Sequence, residues 1–202
     1  MKVIEQEIHS LKNSISEMWA LVHQQLYNAG EAMLTGDKEL AYKVISRERR
    51  VNAFELKIDS DCEDIIALYA PVAIDLRFVL AMYKINTNLE RLGDFAESIA
   101  RFAGNLPEGE PIDPQLVKET RVEEMLSELL SMISLTKEAF EKESSEIASR
   151  IFLKDNLIDE INHNSTAIIA KYIEEHKGSA LAGLYMAGVS GKWNVSEIIV
   201  RI

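Results

Sequence analysis

The strongest constraint on this chain is a helical repeat of apolar residues that continues almost from one end to the other. Apolar side chains recur every three or four positions, as they do on the buried face of a helix. The chain of 202 residues has only nine glycines, four prolines and few aromatic residues. That composition favours helices over sheets, and we predict an all-α protein.

Short breaks divide the pattern into six predicted helices. Gly36 in "TGD" ends the first helix, and Pro71 in "YAPVAID" separates the second from the third. The segment "GNLPEGEPIDPQL" holds three of the four prolines and is the clearest linker, while "HKGS" ends the fifth helix. The predicted helices span residues 4–35, 37–69, 71–103, 115–143 and 145–177, followed by a short sixth helix.

Two sets of three helices indicate an internal repeat. The second-helix segment "AYKVISRERRVNAFELKID" aligns without a gap with the fifth-helix segment "ASRIFLKDNLIDEINHNST". Long amphipathic helices that are joined by short loops form up-down bundles. We therefore predict two tandem three-helix bundles, with a first unit at residues 1–104, a linker at 105–114 and a second unit at 115–202.

Carboxylates form a strip on each of two neighbouring predicted helices. At about 100° per residue, the acids of "NLERLGDFAESIA" lie on one side of the third helix, away from its apolar stripe. A tight turn at Pro71 would make the second and third helices antiparallel neighbours, so that the two strips face each other in one groove. The strips comprise Glu48, Asn52, Glu55 and Asp59 on the second helix and Glu90, Asp94 and Glu97 on the third.

The chemistry of such a groove has two possible explanations. Carboxylates that are held together repel one another, and a multivalent cation relieves that repulsion. Oxygen ligands spaced at i, i+4 and i+7 suit hard cations such as Mg²⁺, Ca²⁺, Mn²⁺ or iron. The alternative is a solvated charged face that is balanced by neighbouring arginines, which is the commoner origin of acidic strips when spacing is the only information.

Several other classes of function find no support in the sequence. The net charge of −11 argues against nucleic acid as a partner, because phosphate binding needs clustered Lys and Arg. Glu160 and His163 form a single E-x-x-H pair, whereas di-iron bundles use two such pairs and two further glutamates. There is no phosphate-binding glycine loop, nucleophile elbow or H-E-x-x-H. We therefore expect a protein that is not an enzyme.

The sequence also predicts a cytoplasmic protein. The single cysteine, Cys62, cannot form an internal disulfide, and the first residues contain no apolar core of a signal peptide. The longest uncharged apolar run, "IIALYAPVAI", is about half of the ~20 residues that a membrane span needs.

The segment "APVAIDLRFVLAMYKINTNLERLGDFAESIA" resembles the PhoU family, the accessory proteins of bacterial phosphate transport and signalling. Its signature is "P-x-A-x-D-L-R" followed by "L-E-R-L-G-D". The resemblance implies two PhoU repeats whose E-x-x-x-D motifs bind iron, Mn²⁺ or Mg²⁺, in some members as a multinuclear cluster. It also implies a homodimeric, non-enzymatic regulator that connects the ATPase subunit of a phosphate ABC transporter to a sensor histidine kinase. Such a regulator reaches the inner membrane only through its partners.

The resemblance assigns metal-binding roles to particular residues, and it favours the metal over the solvated face. Gly93, which lies beside the carboxylates of the first repeat, would let a cation or a neighbouring helix approach closely. The implied ligands are Glu90 and Asp94 in the E-x-x-x-D of the first repeat, Glu48, Asn52 and Glu55 on its second helix, and Asp155 and Asp159, with Asn162 beside them, in the second repeat.

The end of the chain departs from the family pattern. The sixth helix should carry a second "E-R-x-G-D", but the sequence is "GVSGKWNVSEIIVRI". If the coding DNA is read in a frame that begins one base earlier, at the last base of the Trp193 codon, that base and the first two bases of the Asn194 codon must specify Glu. The next codons in this frame can specify Arg, Leu, Gly and Asp. We therefore expect residues 191–202 to be a frameshifted tail that leaves the last helix short and the second metal site incomplete. The alternative is a naturally degenerate last helix, which would still carry an apolar stripe.

Overall fold

The computed structural model describes residues 3–106 and 112–176, together with the single residues Gly183 and Ile199. Across those two ranges every regular element is a helix, which confirms the prediction of an all-α helical bundle protein. The expectation of a short last helix and a frameshifted tail lies outside the described residues. The helices are α1 Val3–Thr35, α2 Lys38–Tyr69, α3 Ile74–Asn105, α4 Pro114–Glu119, α5 Val122–Lys142, α6 Ser145–Ser149 and α7 Ile151–Glu175.

The three long helices α1, α2 and α3 pack against one another along their length. Each has 32 or 33 residues and is therefore about 50 Å long. Asp37 caps the start of α2, because its carboxylate accepts a hydrogen bond of 2.9 Å from the Leu40 N–H. The apolar stripes of the three helices meet in a core that includes the fully buried Ile15, Val51 and Leu92.

A four-residue turn makes α2 and α3 antiparallel neighbours. The helix α2 ends where Ala70 adopts a left-handed conformation with φ 44°. Pro71 and Val72 follow, and Ala73, with φ 49°, precedes the first residue of α3. The turn is closed by hydrogen bonds from the Asp75 N–H to the Val72 carbonyl and from the Arg77 N–H to the Ala73 carbonyl.

The helices predicted at 115–143 and 145–177 are each divided in two. Arg121, with φ 53°, separates α4 from α5, and Arg150 separates α6 from α7. The guanidinium of Arg121 contacts Glu124 at 2.8 Å and Glu160 of α7 at 3.3 Å. Neither break coincides with a glycine or proline, so helix-breaking residues alone do not indicate them.

The helices α1 and α5 join the two halves of the chain. The indole Nε1 of Trp19 donates a hydrogen bond of 3.2 Å to the Ile133 carbonyl, and its ring stacks on Phe140 at a centroid distance of 5.8 Å. Lys12 lies over the same Phe140 ring and pairs with Glu143 at 3.4 Å. The proposed division at residues 105–114 stays a prediction. No helix in the described part of the chain is long and apolar enough to cross a membrane.

Candidate metal centre

The acidic strips of α2 and α3 lie along one seam, which we call the acidic groove. Glu48 of α2 is repelled by Asp94, Glu97 and Glu90 of α3, and Glu55 is repelled by its own neighbour Asp59 and by Asp94. The antiparallel arrangement of the two helices produces this pairing, because residues late in α2 lie opposite residues early in α3. The acidic groove comprises Glu48, Glu55 and Asp59 of α2 and Glu90, Asp94 and Glu97 of α3.

Glu48 is the most buried acid of the groove. Its side chain is only 5 % exposed, and neither carboxylate oxygen has a hydrogen-bond partner among the described residues. Burial, followed by the charges of Asp94, Glu97 and Glu90, raises the pKa of Glu48 to about 7. An unpaired buried carboxylate is costly, so this group requires either a proton or a cation.

Glu90 and Glu55 form the middle of the groove. Burial and the charge of Asp94 raise the pKa of half-buried Glu90 to about 7, with smaller contributions from Glu55 and from a hydrogen bond with Asp94. The charge of Arg91 acts in the opposite direction. Burial and the charges of Asp59 and Asp94 also raise the pKa of Glu55. The groove therefore gathers more negative charge than its surroundings neutralise.

Gly93 allows α2 and α3 to approach each other at this groove. A Cβ atom at this position would lie 2.8 Å from Val51 Cγ1 and 3.5 Å from Glu48 Oε2. A glycine within a helix costs about 1 kcal/mol relative to alanine. Here the missing side chain makes room for Val51 of the neighbouring helix and leaves the Glu48 carboxylate against the α3 backbone.

The implied ligands differ in how the structure places them. Glu48, Glu55, Glu90 and Asp94 lie together in the groove, whereas Asn52 is an exposed residue of α2. Asn52 makes no hydrogen bond to the groove in the part of the chain that the structure describes.

The implied ligands of the second repeat are spread along α7. Asp155 is half-buried and its Oδ1 has no partner among the described residues, Asp159 is exposed and Asn162 is half-buried. The last helix, which would carry the other carboxylates in the family pattern, lies outside the described residues. The E-x-x-H pair of α7 is exposed, and its Glu160 pairs with Arg121.

The ligand set inferred from the sequence omits three residues of this region. Asp59 and Glu97 belong to the strips and contribute to the repulsion in the groove. Asn86 is fully buried, and its amide donates hydrogen bonds to the Glu55 carbonyl at 2.9 Å and to Asp59 Oδ1 at 2.7 Å. Asn86 precedes Glu90 by four residues, so helical spacing could have placed it on the same strip.

The donor chemistry of the groove fits a hard cation. All its charged side chains are carboxylates, and both oxygens of Glu48 are buried without a partner in the described part of the chain. As they stand, however, no three His, Cys, Asp or Glu side chains of the described residues are arranged around a common point that could hold a metal ion. Binding would therefore require rotation of the carboxylates at the open side of the groove.

Fold and groove together define a class: an all-helical bundle protein with a carboxylate-lined seam between two antiparallel helices. A family model described as "PhoU domain" matches residues 15–103. A phosphate-specific transport system accessory protein PhoU homolog from Aquifex aeolicus is 31% identical over 91% of this chain and 81% of the relative. The PhoU accessory protein of Escherichia coli K12 is 32% identical over 90% of this chain and 75% of its own length. The chain therefore belongs to the PhoU family.

Solved structures agree with this assignment. The phosphate transport system regulatory protein PhoU of Streptococcus pneumoniae superposes with a TM-score of 0.86 and 26% identity, covering 98% of this chain and 91% of that protein. PhoU from Pseudomonas aeruginosa has the same fold, with a TM-score of 0.83 at 24% identity over 97% of this chain and 96% of that protein.

Proposed function

We propose that this chain is a metal-binding, non-enzymatic regulator of phosphate uptake and phosphate signalling. Relatives that share its family carry the names of accessory and regulatory proteins of phosphate transport. The observation that carries the metal proposal is Glu48, whose buried carboxylate has no hydrogen-bond partner among the described residues and lies in the repulsive field of the α3 acids. A divalent or trivalent cation would neutralise that field.

The proposed metal ligands are four carboxylates of the acidic groove. Glu48, Glu55, Glu90 and Asp94 would supply oxygen ligands to iron, Mn²⁺ or Mg²⁺, with Asn52 at the exposed edge. A groove with this many carboxylates has enough oxygen ligands for more than one metal ion. Asp155 and Asp159 would contribute to a second, weaker position on α7.

The proposed role is that of an adaptor. The chain would bind the ATPase subunit of a phosphate ABC transporter on one side and a sensor histidine kinase on the other, and it would act as a homodimer in the cytoplasm. Contact with the membrane would go through those partners, because a net charge of −11 opposes direct binding to anionic lipid.

A titration of the metal-free protein tests the metal proposal. We expect the protein, stripped with a chelator, to bind Mn²⁺ in isothermal titration calorimetry, and its metal content after expression to show bound iron or manganese. The double variant Glu90→Ala/Asp94→Ala should weaken Mn²⁺ binding by at least about tenfold, because it removes two direct ligands, without unfolding the helices.

The matched control removes two acids outside the groove. Glu7→Ala/Glu123→Ala changes the net charge by the same amount at two exposed positions and should leave Mn²⁺ binding unchanged. Equal losses in the two double variants would mean that Mn²⁺ responds only to net charge.

A second candidate function is an interaction bundle whose acids are merely solvated. It is favoured by the ion pair of 2.6 Å between Glu97 and Arg101, which already neutralises one acid at the edge of the groove. Under this alternative the stripped protein binds no Mn²⁺, Mg²⁺ or iron, yet still binds the transporter ATPase. A pull-down with the purified ATPase subunit, in chelator and with added Mn²⁺, separates the two candidates.

A further inference from the structure

Asn86 is an unusual residue for the buried seam between α2 and α3. It is fully buried, and its neighbours on the buried face of α3 include Ile85 and Leu89. Its Nδ2 donates to the Glu55 carbonyl at 2.9 Å and to Asp59 Oδ1 at 2.7 Å, so both of its N–H groups are directed at α2. Because both partners are acceptors, only the nitrogen of the amide can face them.

The oxygen of the same amide lacks a hydrogen-bond donor in the described part of the chain. Asn86 Oδ1 is buried and has no hydrogen-bond partner among the described residues. A buried acceptor without a partner destabilises the folded state, and an apolar side chain at such a position often packs at least as well. The two hydrogen bonds that the amide donates to α2 offset that cost, so the net contribution of Asn86 to the stability of the metal-free bundle is small.

We propose that Asn86 is a positioning residue of the acidic groove, which holds Asp59 and the α2 backbone in the arrangement that a bound cation needs. This inference rests on the proposed metal-binding function. The bond to Asp59 Oδ1 fixes the plane of that carboxylate, so that its Oδ2 would add a further oxygen ligand to the four carboxylates proposed above. The bond to the Glu55 carbonyl fixes α2 against α3 one turn before Glu90, so that Glu55 and Glu90 stay opposite each other.

The chain offers a matched control two residues away. Asn88 is also buried, at 6 % exposure, but its Nδ2 donates to the carbonyl of Lys84 on its own helix at 3.1 Å. It makes no hydrogen bond to α2 in the described part of the chain. Replacing Asn88 therefore changes a buried asparagine of α3 without touching Asp59 or Glu55.

The test compares metal affinity with the stability of the metal-free protein. We expect Asn86→Leu to weaken Mn²⁺ binding in calorimetry by at least about tenfold, the usual effect of removing a residue that orients a metal ligand. In chelator, its melting temperature should stay close to that of the wild type, because the loss of two hydrogen bonds to α2 is offset by the loss of the unpartnered Oδ1 and by the added apolar contact. Asn88→Leu should leave Mn²⁺ affinity unchanged.

A double-mutant cycle shows whether Asn86 acts through Asp59. Asp59→Ala should weaken Mn²⁺ binding, and adding Asn86→Leu to Asp59→Ala should weaken it by less than Asn86→Leu does in the wild type, because only the bond to the Glu55 carbonyl then remains to be lost. Asn86→Ala serves if the larger leucine prevents folding, and it should lose the same Mn²⁺ affinity at a lower melting temperature, because it leaves a small cavity.

The outcomes distinguish this inference from the proposed function. Wild-type Mn²⁺ affinity in both Asn86→Leu and Asn86→Ala would overturn the role of Asn86 and leave the metal-binding function standing. Equal losses in the Asn86 and Asn88 variants would also overturn it, since that result indicates general damage to the seam. A wild-type protein that binds no Mn²⁺, Mg²⁺ or iron would overturn the function and this inference together.

Discussion

The acidic groove and the matching face of α7 show how similar strips of acids can acquire different environments. In the groove, Glu48 lies among three other carboxylates and has no partner for either oxygen among the described residues. Around α7, two acids have cationic partners, because Lys154 of α7 pairs with Glu128 of α5 at 2.5 Å and Arg121 reaches Glu160 at 3.3 Å. Asp155, which aligns with Glu48, has a buried Oδ1 without a partner among the described residues. Spacing places acids on one side of a helix, but the neighbouring helix decides whether their charge is compensated.

The largest effect that this comparison predicts is a pH-dependent loss of stability caused by Glu48. The pKa of Glu48 rises from 4.5 to about 7 on folding, which corresponds to about 3 kcal/mol. Between these pH values the folded protein holds a proton that the unfolded chain has released. The contribution of Glu48 is therefore fully present below pH 4.5 and is lost as the pH rises through 7.

Urea unfolding of the metal-free protein between pH 4.5 and 8 measures this effect. Glu48→Gln, which stays neutral, should remove the part of the loss that Glu48 contributes, leave the part that Glu90 contributes, and be more stable than the wild type at pH 8. The control Glu123→Gln makes the same charge change at an exposed position of α5. If Glu48→Gln and Glu123→Gln give identical pH profiles, Glu48 is compensated and the contrast with α7 is wrong.

The next effect concerns the close approach that Gly93 permits. Gly93→Ala places a Cβ 2.8 Å from a methyl group of the stiff, β-branched Val51, so we expect it to cost about 1–3 kcal/mol in unfolding free energy. Gly104→Ala is the matched control in the same helix, because a Cβ there meets nothing within 4 Å. Urea unfolding measures both variants, and Gly104→Ala should be neutral or slightly stabilising.

A rescue variant sharpens this prediction. Val51→Ala removes the methyl group that the new Cβ would meet, so Gly93→Ala should cost less in the Val51→Ala background. If Gly93→Ala costs as much in the Val51→Ala background as in the wild type, the cost does not come from contact with Val51, and Gly93 has another role.

The smallest effect tests the compensated side of the comparison. Lys154 and Glu128 are about one-quarter exposed, so their coupling energy should be about 1 kcal/mol or less. A double-mutant cycle with Lys154→Met and Glu128→Gln, measured by urea unfolding, gives that coupling energy. A value near zero would mean that Lys154 does not compensate the charge of Glu128, and that this pair does not distinguish the surroundings of α7 from the groove.

Most of the fold could be predicted from the sequence, because the positions of helices follow from the local periodicity of apolar residues. The predicted bounds of the first three helices differ from the observed ones by only a few residues, and Asp37 and Gly36 lie at the expected boundary. The breaks at Arg121 and Arg150 were missed. Arg121 itself adopts the left-handed conformation and contacts Glu124 and the distant Glu160. The sequence around it contains no glycine or proline that would indicate a break.

The candidate site could be predicted only in part, because it depends on contacts between helices as well as on spacing within each helix. Helical spacing and family resemblance pointed to Glu48, Glu90 and Asp94, which the structure places in one groove. The same reasoning included the exposed Asn52 and omitted Asn86, since periodicity cannot show which side chain bonds across a seam.

The sequence by itself therefore determined the helices, their acidic strips and the family. Only the tertiary structure decided that Glu48 is buried without a partner in the described chain, that Gly93 meets Val51, and that Asn86 holds Asp59. Each of these facts depends on the rotation of α2 and its distance from α3. Both are set by packing between residues that are tens of positions apart in the chain, which a repeat of three or four residues cannot encode.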